Sequence, residues 1–64
     1  MDERLDLNSA EKDALDGIED LKGHGHEIVR YRHERGGFSD LRQLDEVPGL
    51  TGKVPEEALK RLRV

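Results

Sequence analysis

The sequence predicts an all-α domain of four to five short helices, and three observations carry that expectation. The first is an internal repeat. Leu15, Asp16, Ile18, Leu21 and Gly23 return as Leu44, Asp45, Val47, Leu50 and Gly52, five matches in nine positions at a single offset, as a duplicated supersecondary unit would give. The second is spacing: apolar residues recur at intervals of three and four around each copy, the period of an amphipathic helix. The third is the absence of strand signals outside a short lead-in. In each copy an amphipathic segment runs into a tight turn holding one more apolar Leu and a closing Gly, so the repeated unit reads as helix, turn, helix.

The chain has 64 residues. That is room for one domain with one small core, which buries only roughly 60% of the surface its unfolded chain exposes. There are no cysteines, so no disulfide or thiolate metal site can staple the fold and packing must hold it. Charged residues make up 41% of the chain and the mean hydropathy is −0.87. The apolar residues are regularly spaced rather than scattered, which points to a folded domain rather than to disorder. No apolar run approaches the roughly 20 residues of a membrane span, and Met1-Asp2-Glu3-Arg4 lacks the basic and apolar regions of a signal peptide. The expectation is a soluble monomer, cytoplasmic by default.

The net charge of −4 argues against indiscriminate phosphate binding, yet it is unevenly spread. Residues 1–22 hold eight acids and three bases, whereas residues 23–64 hold seven acids and eight bases. Any anion-binding face would be built from the second part, where Arg30, Arg32, Arg35, Lys60, Arg61 and Arg63 fall in two segments. Ordinary solvated helix faces would look the same.

In chain order, Leu5 and Leu7 flank Asp6 in an extended lead-in. Asn8 or Ser9 then offers an N-cap, with Glu11 three beyond Asn8 in the manner of a capping box. A helix should start near Ser9, bury Ala10, Ala14, Leu15 and Ile18, and end near Gly17. After the first turn, Gly23-His24-Gly25-His26 leads into a helix from about His24 to Arg35. Gly36 stops it in the left-handed conformation, and Phe38 can fold back onto its end. Ser39 or Asp40 caps a third helix to about Glu46, with Leu41, Leu44 and Val47 inward, and Pro48 ends it. Pro55 suits the first position of a fourth helix, Glu56 and Glu57 favour its first turn, and Ala58, Leu59 and Leu62 form its buried face. Lys60, Arg61 and Arg63 are expected in its last turn, where cations oppose the dipole. The expected core is completed by Leu21, Ile28, Val29 and Leu50, with Tyr31 packed beside it.

Taken together these residues resemble the tandem helix-hairpin-helix domain of the ComEA type, found in bacterial competence and related small DNA-binding proteins. The resemblance runs from about Asp6 to the end. It rests on Asp6-Leu7-Asn8-Ser9-Ala10 as the entry, Ile28-Val29-Arg30-Tyr31-Arg32 on the second helix, Gly36-Gly37-Phe38 as the joint, Leu41 and Leu44, and Val47-Pro48-Gly49-Leu50 as the second hairpin. It implies a compact, SAM-like tandem domain over residues 8–64, after a lead-in of residues 1–7. It also implies sequence-independent binding of double-stranded DNA. The hairpin turns tightly at its glycines, the next helix presents bare N–H groups to a phosphate oxygen, and two such hairpins grip the two sides of a minor groove without reading bases. The positions this assigns are Gly49, Leu50, Thr51, Gly52 and Lys53 in the second hairpin, and Lys22, Gly23, His24 and Gly25 after the first.

The sequence departs from that pattern at functional positions. Gly49 keeps the first hairpin glycine of the second copy, but Thr51 takes the place of the second glycine and Gly52 comes one residue late. In the first copy Asp20 and Lys22 stand for the two glycines, with Gly23 again late. A carboxylate at Asp20 would repel a phosphate by about 1 kcal/mol at ~4 Å even in water. The shared late glycine points to one altered turn geometry in both copies. The rival function is a protein-interaction or scaffolding module that has kept the fold and lost the phosphate grip.

Other chemistries fit less well. His24, His26 and His33 invite a metal, but a closed site wants four ligands and nothing completes it, so neither metal nor cofactor is expected. No nucleophile has an adjacent base and no acid pair has the pocket that general acid–base chemistry needs, so no enzymatic activity is expected. Two aromatics are too few for a single-strand binder.

Overall fold

A computed structural model describes residues 3–64; Met1 and Asp2 of the expected lead-in lie outside them. The domain is mostly helical. Strand β1 (Leu5–Asp6) precedes α1 (Lys12–Asp16), a 3-10 turn at Glu19–Leu21, α2 (Gly25–Arg35), a 3-10 helix at Leu41–Glu46, α3 (Glu56–Leu59) and strand β2 (Leu62–Arg63). The helical units pack around one core of Leu7, Leu15, Ile18, Leu21, Ile28, Tyr31, Phe38, Leu44, Val47, Leu50, Ala58 and Leu62. Val29, Leu41 and Leu59 lie half-buried against it. Each fully buried Leu contributes about 1.5–3 kcal/mol of transfer free energy, and six of them are wholly enclosed.

The first helix begins at Lys12, not near Ser9, with Glu11 at its N-cap, and Ala14 faces solvent. Asn8 does not cap it because Asn8 is engaged elsewhere. Its carboxamide accepts the Phe38 N–H at 2.5 Å and donates to the Phe38 carbonyl at 3.0 Å, which ties the entry of the chain to the joint between its halves. The Asn8 N–H meanwhile donates to Asp6 Oδ1 at 2.8 Å in a local turn.

Helix α2 matches its expected span to within one residue. It ends at Gly36 in the left-handed region (φ 77°), whose N–H returns to the Arg32 carbonyl. Phe38 folds back as expected and stacks on Tyr31 with centroids 5.1 Å apart. The third helix is 3-10 rather than α. Asp40 caps it by accepting from the Arg42 N–H, and Gln43 completes a capping box at the Asp40 N–H.

The fourth helix is a single turn with Pro55 at the N-cap position instead of inside it. It stops at Leu59 because the chain is pulled into a parallel pairing with the lead-in, Leu5 opposite Leu62 and Asp6 opposite Arg63. The Leu5 N–H donates to the Arg61 carbonyl at 2.9 Å and the Leu7 N–H to the Arg63 carbonyl at 2.8 Å. Lys60, Arg61 and Arg63 therefore do not lie in a last helical turn: they follow the helix and run into the strand. Leu7, read from the sequence only as a flank of the lead-in, is part of the core. Among the described residues no helix is long and apolar enough to cross a membrane.

Candidate nucleic-acid interface

The internal repeat is a repeat of hydrogen bonds. The Ile18 N–H donates to Leu15 and the Val47 N–H to Leu44, both at 3.1 Å; Leu21 donates to Ile18 and Leu50 to Val47, both at 2.9 Å; His24 donates to Leu21 and Lys53 to Leu50, both at 2.9 Å. Each turn is thus a run of three i to i−3 bonds pinned from inside by one fully buried leucine, Leu21 or Leu50. The closing glycines Gly23 and Gly52 both take left-handed backbone, with φ of 86° and 72°, a conformation open to glycine at little cost. The late glycine does mark one geometry used twice.

The repeated aspartates have a common task that their pairing at the same offset hinted at and that no motif disclosed. Asp45 Oδ1 accepts the Gly52 N–H at 2.6 Å, and the Thr51 hydroxyl donates to the Asp45 carbonyl at 2.9 Å. Asp16 Oδ1 accepts the Gly25 N–H at 2.8 Å. That bond above all, then the Lys12 ammonium 3.1 Å away, and to a smaller degree the Gly23 N–H, hold the Asp16 carboxyl below its ordinary range. Both carboxylates fasten a hairpin from behind.

The two hairpins differ at their mouths. Gly49 takes φ of 89°, whereas Asp20, at the matching position, sits in the right-handed 3-10 turn. The expected common geometry therefore holds for the closing half of each hairpin and fails at its first position, because only glycine adopts the left-handed turn freely. In the first hairpin the anion-attracting start of α2 is already occupied by the protein's own acids. Asp16 holds the Gly25 N–H, and Glu27 lies in the first turn with Oε1 2.9 Å from His24 Nδ1. Gly25 is buried, and a Cβ there would come within 2.6 Å of the Lys12 carbonyl oxygen. Its glycine serves the close approach of α1 and α2.

The second hairpin is the more open one. Gly49, Thr51, Gly52 and Lys53 are exposed while Leu50 is enclosed. Among the described residues no acceptor takes the N–H of Gly49 or Thr51, and Lys53 forms no ion pair. Besides Asp45, which holds the Gly52 N–H, Glu27 reaches across from α2 so that a Cβ at Gly49 would lie 2.6 Å from its Oε2. Glu27 thereby touches both hairpins. Lys22 and Gly23 are exposed beside the first hairpin.

The basic edge expected on α2 is spent internally. Arg32 turns inward and donates to the carbonyls of Leu7 and Ala10 at 2.9 and 2.8 Å; Arg30 pairs with Glu34 at 2.8 Å; Arg35 lies over the Tyr31 ring, 5.3 Å from its centroid. His26 and His33 are exposed, and among the described residues no three His, Asp or Glu side chains converge on a point that could hold a metal ion.

Two glycine-closed hairpins with one hydrogen-bond pattern, each anchored by a buried leucine and leading toward a helix, define a tandem hairpin module of the class that presents backbone amides at tight turns. The chain belongs to the helix-hairpin-helix motif family, whose model matches residues 2–63. This motif is commonly a DNA-binding one. No curated protein and no solved structure matches the chain.

Proposed function

We propose that the protein is a non-enzymatic, sequence-independent DNA-binding module of the ComEA type, and that its second hairpin makes the principal phosphate contact. The observation that carries this reading is the pair of left-handed glycines, Gly49 and Gly52, that flank the enclosed Leu50, with the N–H groups of the exposed Gly49 and Thr51 bonded to no acceptor among the described residues and Lys53 exposed beside them. Backbone N–H groups of that kind, with one adjacent cation, recognise a phosphate oxygen and read no base edge. The ComEA-type assignment is supported by Tyr31 and Phe38, whose stacking closes the Gly36-Gly37-Phe38 joint. The first hairpin has a mainly structural role, since the Gly25 N–H that follows it is taken by Asp16 and its mouth carries Asp20.

Duplex affinity at several salt concentrations tests the division of labour. Lys53→Ala is expected to weaken binding equally on unrelated sequences and to flatten the dependence of log K on log salt by about 0.9, the loss of one phosphate contact. Asp20→Asn removes a repulsive charge without altering the right-handed backbone, and is expected to strengthen binding. A weakening by Asp20→Asn would show that this carboxylate does not face the DNA. The rival reading, a protein-interaction module on the same fold, draws on the acids Asp16, Asp20, Glu27 and Asp45 around the hairpins. It takes over if the parent binds no duplex near 20 mM salt.

A further inference from the structure

Glu27 is the acid of α2 that the hairpin reading leaves without a task. Its place in the first turn suits the positive end of the helix, but the dipole does not require the side chain to lean across to the other half of the domain. It does lean. A Cβ at Gly49 would lie 2.6 Å from Oε2 and 3.3 Å from both Oε1 and the carboxyl carbon, so the carboxylate takes the space that the missing side chain of Gly49 leaves. Glu27 also lines one groove with Pro48, the residue that leads into the second hairpin. Its position is specified from the other side by His24, whose Nδ1 lies 2.9 Å from Oε1, and both side chains are less than one-third exposed. A carboxylate so far out of water is costly unless it has a partner, and His24 supplies one. The Arg30–Glu34 pair further along α2 is by contrast mostly in solvent. The Gly49 and Thr51 N–H groups reach no acceptor among the described residues, so the Glu27 carboxylate adjoins the proposed phosphate site without filling it.

We infer that Glu27 is a built-in competitor at the second hairpin: its carboxylate, seated on Gly49 and held by His24, opposes the approach of a backbone phosphate and sets the affinity of the hairpin for DNA below what its amides and Lys53 alone would give. The inference rests on the DNA-binding reading above. Two anions on one small turn repel, and the carboxylate is tethered there while the phosphate must arrive from solution. Gly49 makes the arrangement possible twice over, since its left-handed backbone, φ 89°, favours glycine and its bare α-carbon admits the carboxylate. Glu27 is therefore a positioning residue that acts on the ligand through charge. It also links the two hairpins, because the His24 that holds it closes the first one through its N–H to the Leu21 carbonyl at 2.9 Å.

The test titrates one duplex into the parent, Lys53→Ala, Glu27→Gln and Glu27→Asp at several salt concentrations, with amide spectra following the fold. Glu27→Gln keeps the shape and removes the charge. It is expected to bind about three- to fivefold more tightly near 20 mM salt, the effect of unit charges ~4–6 Å apart in water, and the gain should narrow toward ~200 mM as the repulsion is screened. A merely structural role for Glu27 would change stability and leave no such salt-dependent gain. Glu27→Asp keeps the charge but falls one methylene short of Gly49, and should strengthen binding by less. The parent supplies a readout that needs no variant: on adding duplex, the carboxyl-carbon resonance of the Glu27 side chain should move in step with the Gly49 amide. A parent that binds and weakens on Lys53→Ala, while Glu27→Gln leaves affinity unchanged or lowers it, would overturn this inference and leave the hairpin reading standing. So would a Glu27 carboxyl resonance that stays fixed while the Gly49 amide shifts. If neither the parent nor Glu27→Gln binds, both readings fall.

Discussion

Leu44→Ala is expected to cost about 2 to 5 kcal/mol, as a large-to-small change at a fully enclosed site. Leu44 is wholly buried, sits in the 3-10 helix Leu41–Glu46, and its carbonyl accepts the first bond of the second hairpin at 3.1 Å. A domain of this length has a total stability of roughly 3–10 kcal/mol by the usual per-residue scale, so the variant should be largely unfolded or only marginally folded. Urea denaturation followed by circular dichroism measures it. A loss under about 1 kcal/mol would mean that the space closes without Leu44 and that the hairpin is not anchored from the core.

Gly25→Ala is expected to destabilise by about 1 to 3 kcal/mol, the range for forcing an extra methyl into a packed site, although alanine is the better helix former by about 1 kcal/mol. The obstacle is backbone. An added Cβ would lie 2.6 Å from the Lys12 carbonyl oxygen and 2.7 Å from Asp16 Oδ1, and a main-chain oxygen inside the α1–α2 contact cannot swing aside as a side chain can. Gly23→Ala is the paired control. Its Cβ would meet nothing within 4 Å, so it should cost only the left-handed strain of about 1–2 kcal/mol. Equal stability of Gly25→Ala and the parent in the same urea titration would show that α1 and α2 are not in the close contact described here.

The helical content and the core were legible because both depend on period and punctuation. Leu15, Ile18, Leu21, Leu44, Val47 and Leu50 repeat as buried positions, and Gly36 ends α2 where a glycine after a basic last turn should. What was not legible depended on long-range partners. Asn8 reads as an N-cap to any local rule, yet its carboxamide pairs with Phe38, thirty residues away. Leu62 has helical spacing with Ala58 and Leu59, yet the lead-in captures it as a strand. Arg32 looks like a surface cation and is instead a clamp on two carbonyls. At the candidate site the sequence located both hairpins and their late glycines. It could not show that Asp16 and Asp45 fasten them, since a carboxylate facing a backbone N–H leaves no mark in local spacing.

The most direct measurement of the central claim is the amide chemical-shift response of the parent protein to a short duplex at low salt, repeated with a duplex of unrelated sequence. The expected result is that Gly49, Thr51, Gly52 and Lys53 shift strongly and alike with both duplexes, while Asp20, Leu21 and Lys22 shift little. Shifts centred on Asp20–Lys22, or no shift in the second hairpin at duplex concentrations that saturate at low salt, would contradict it.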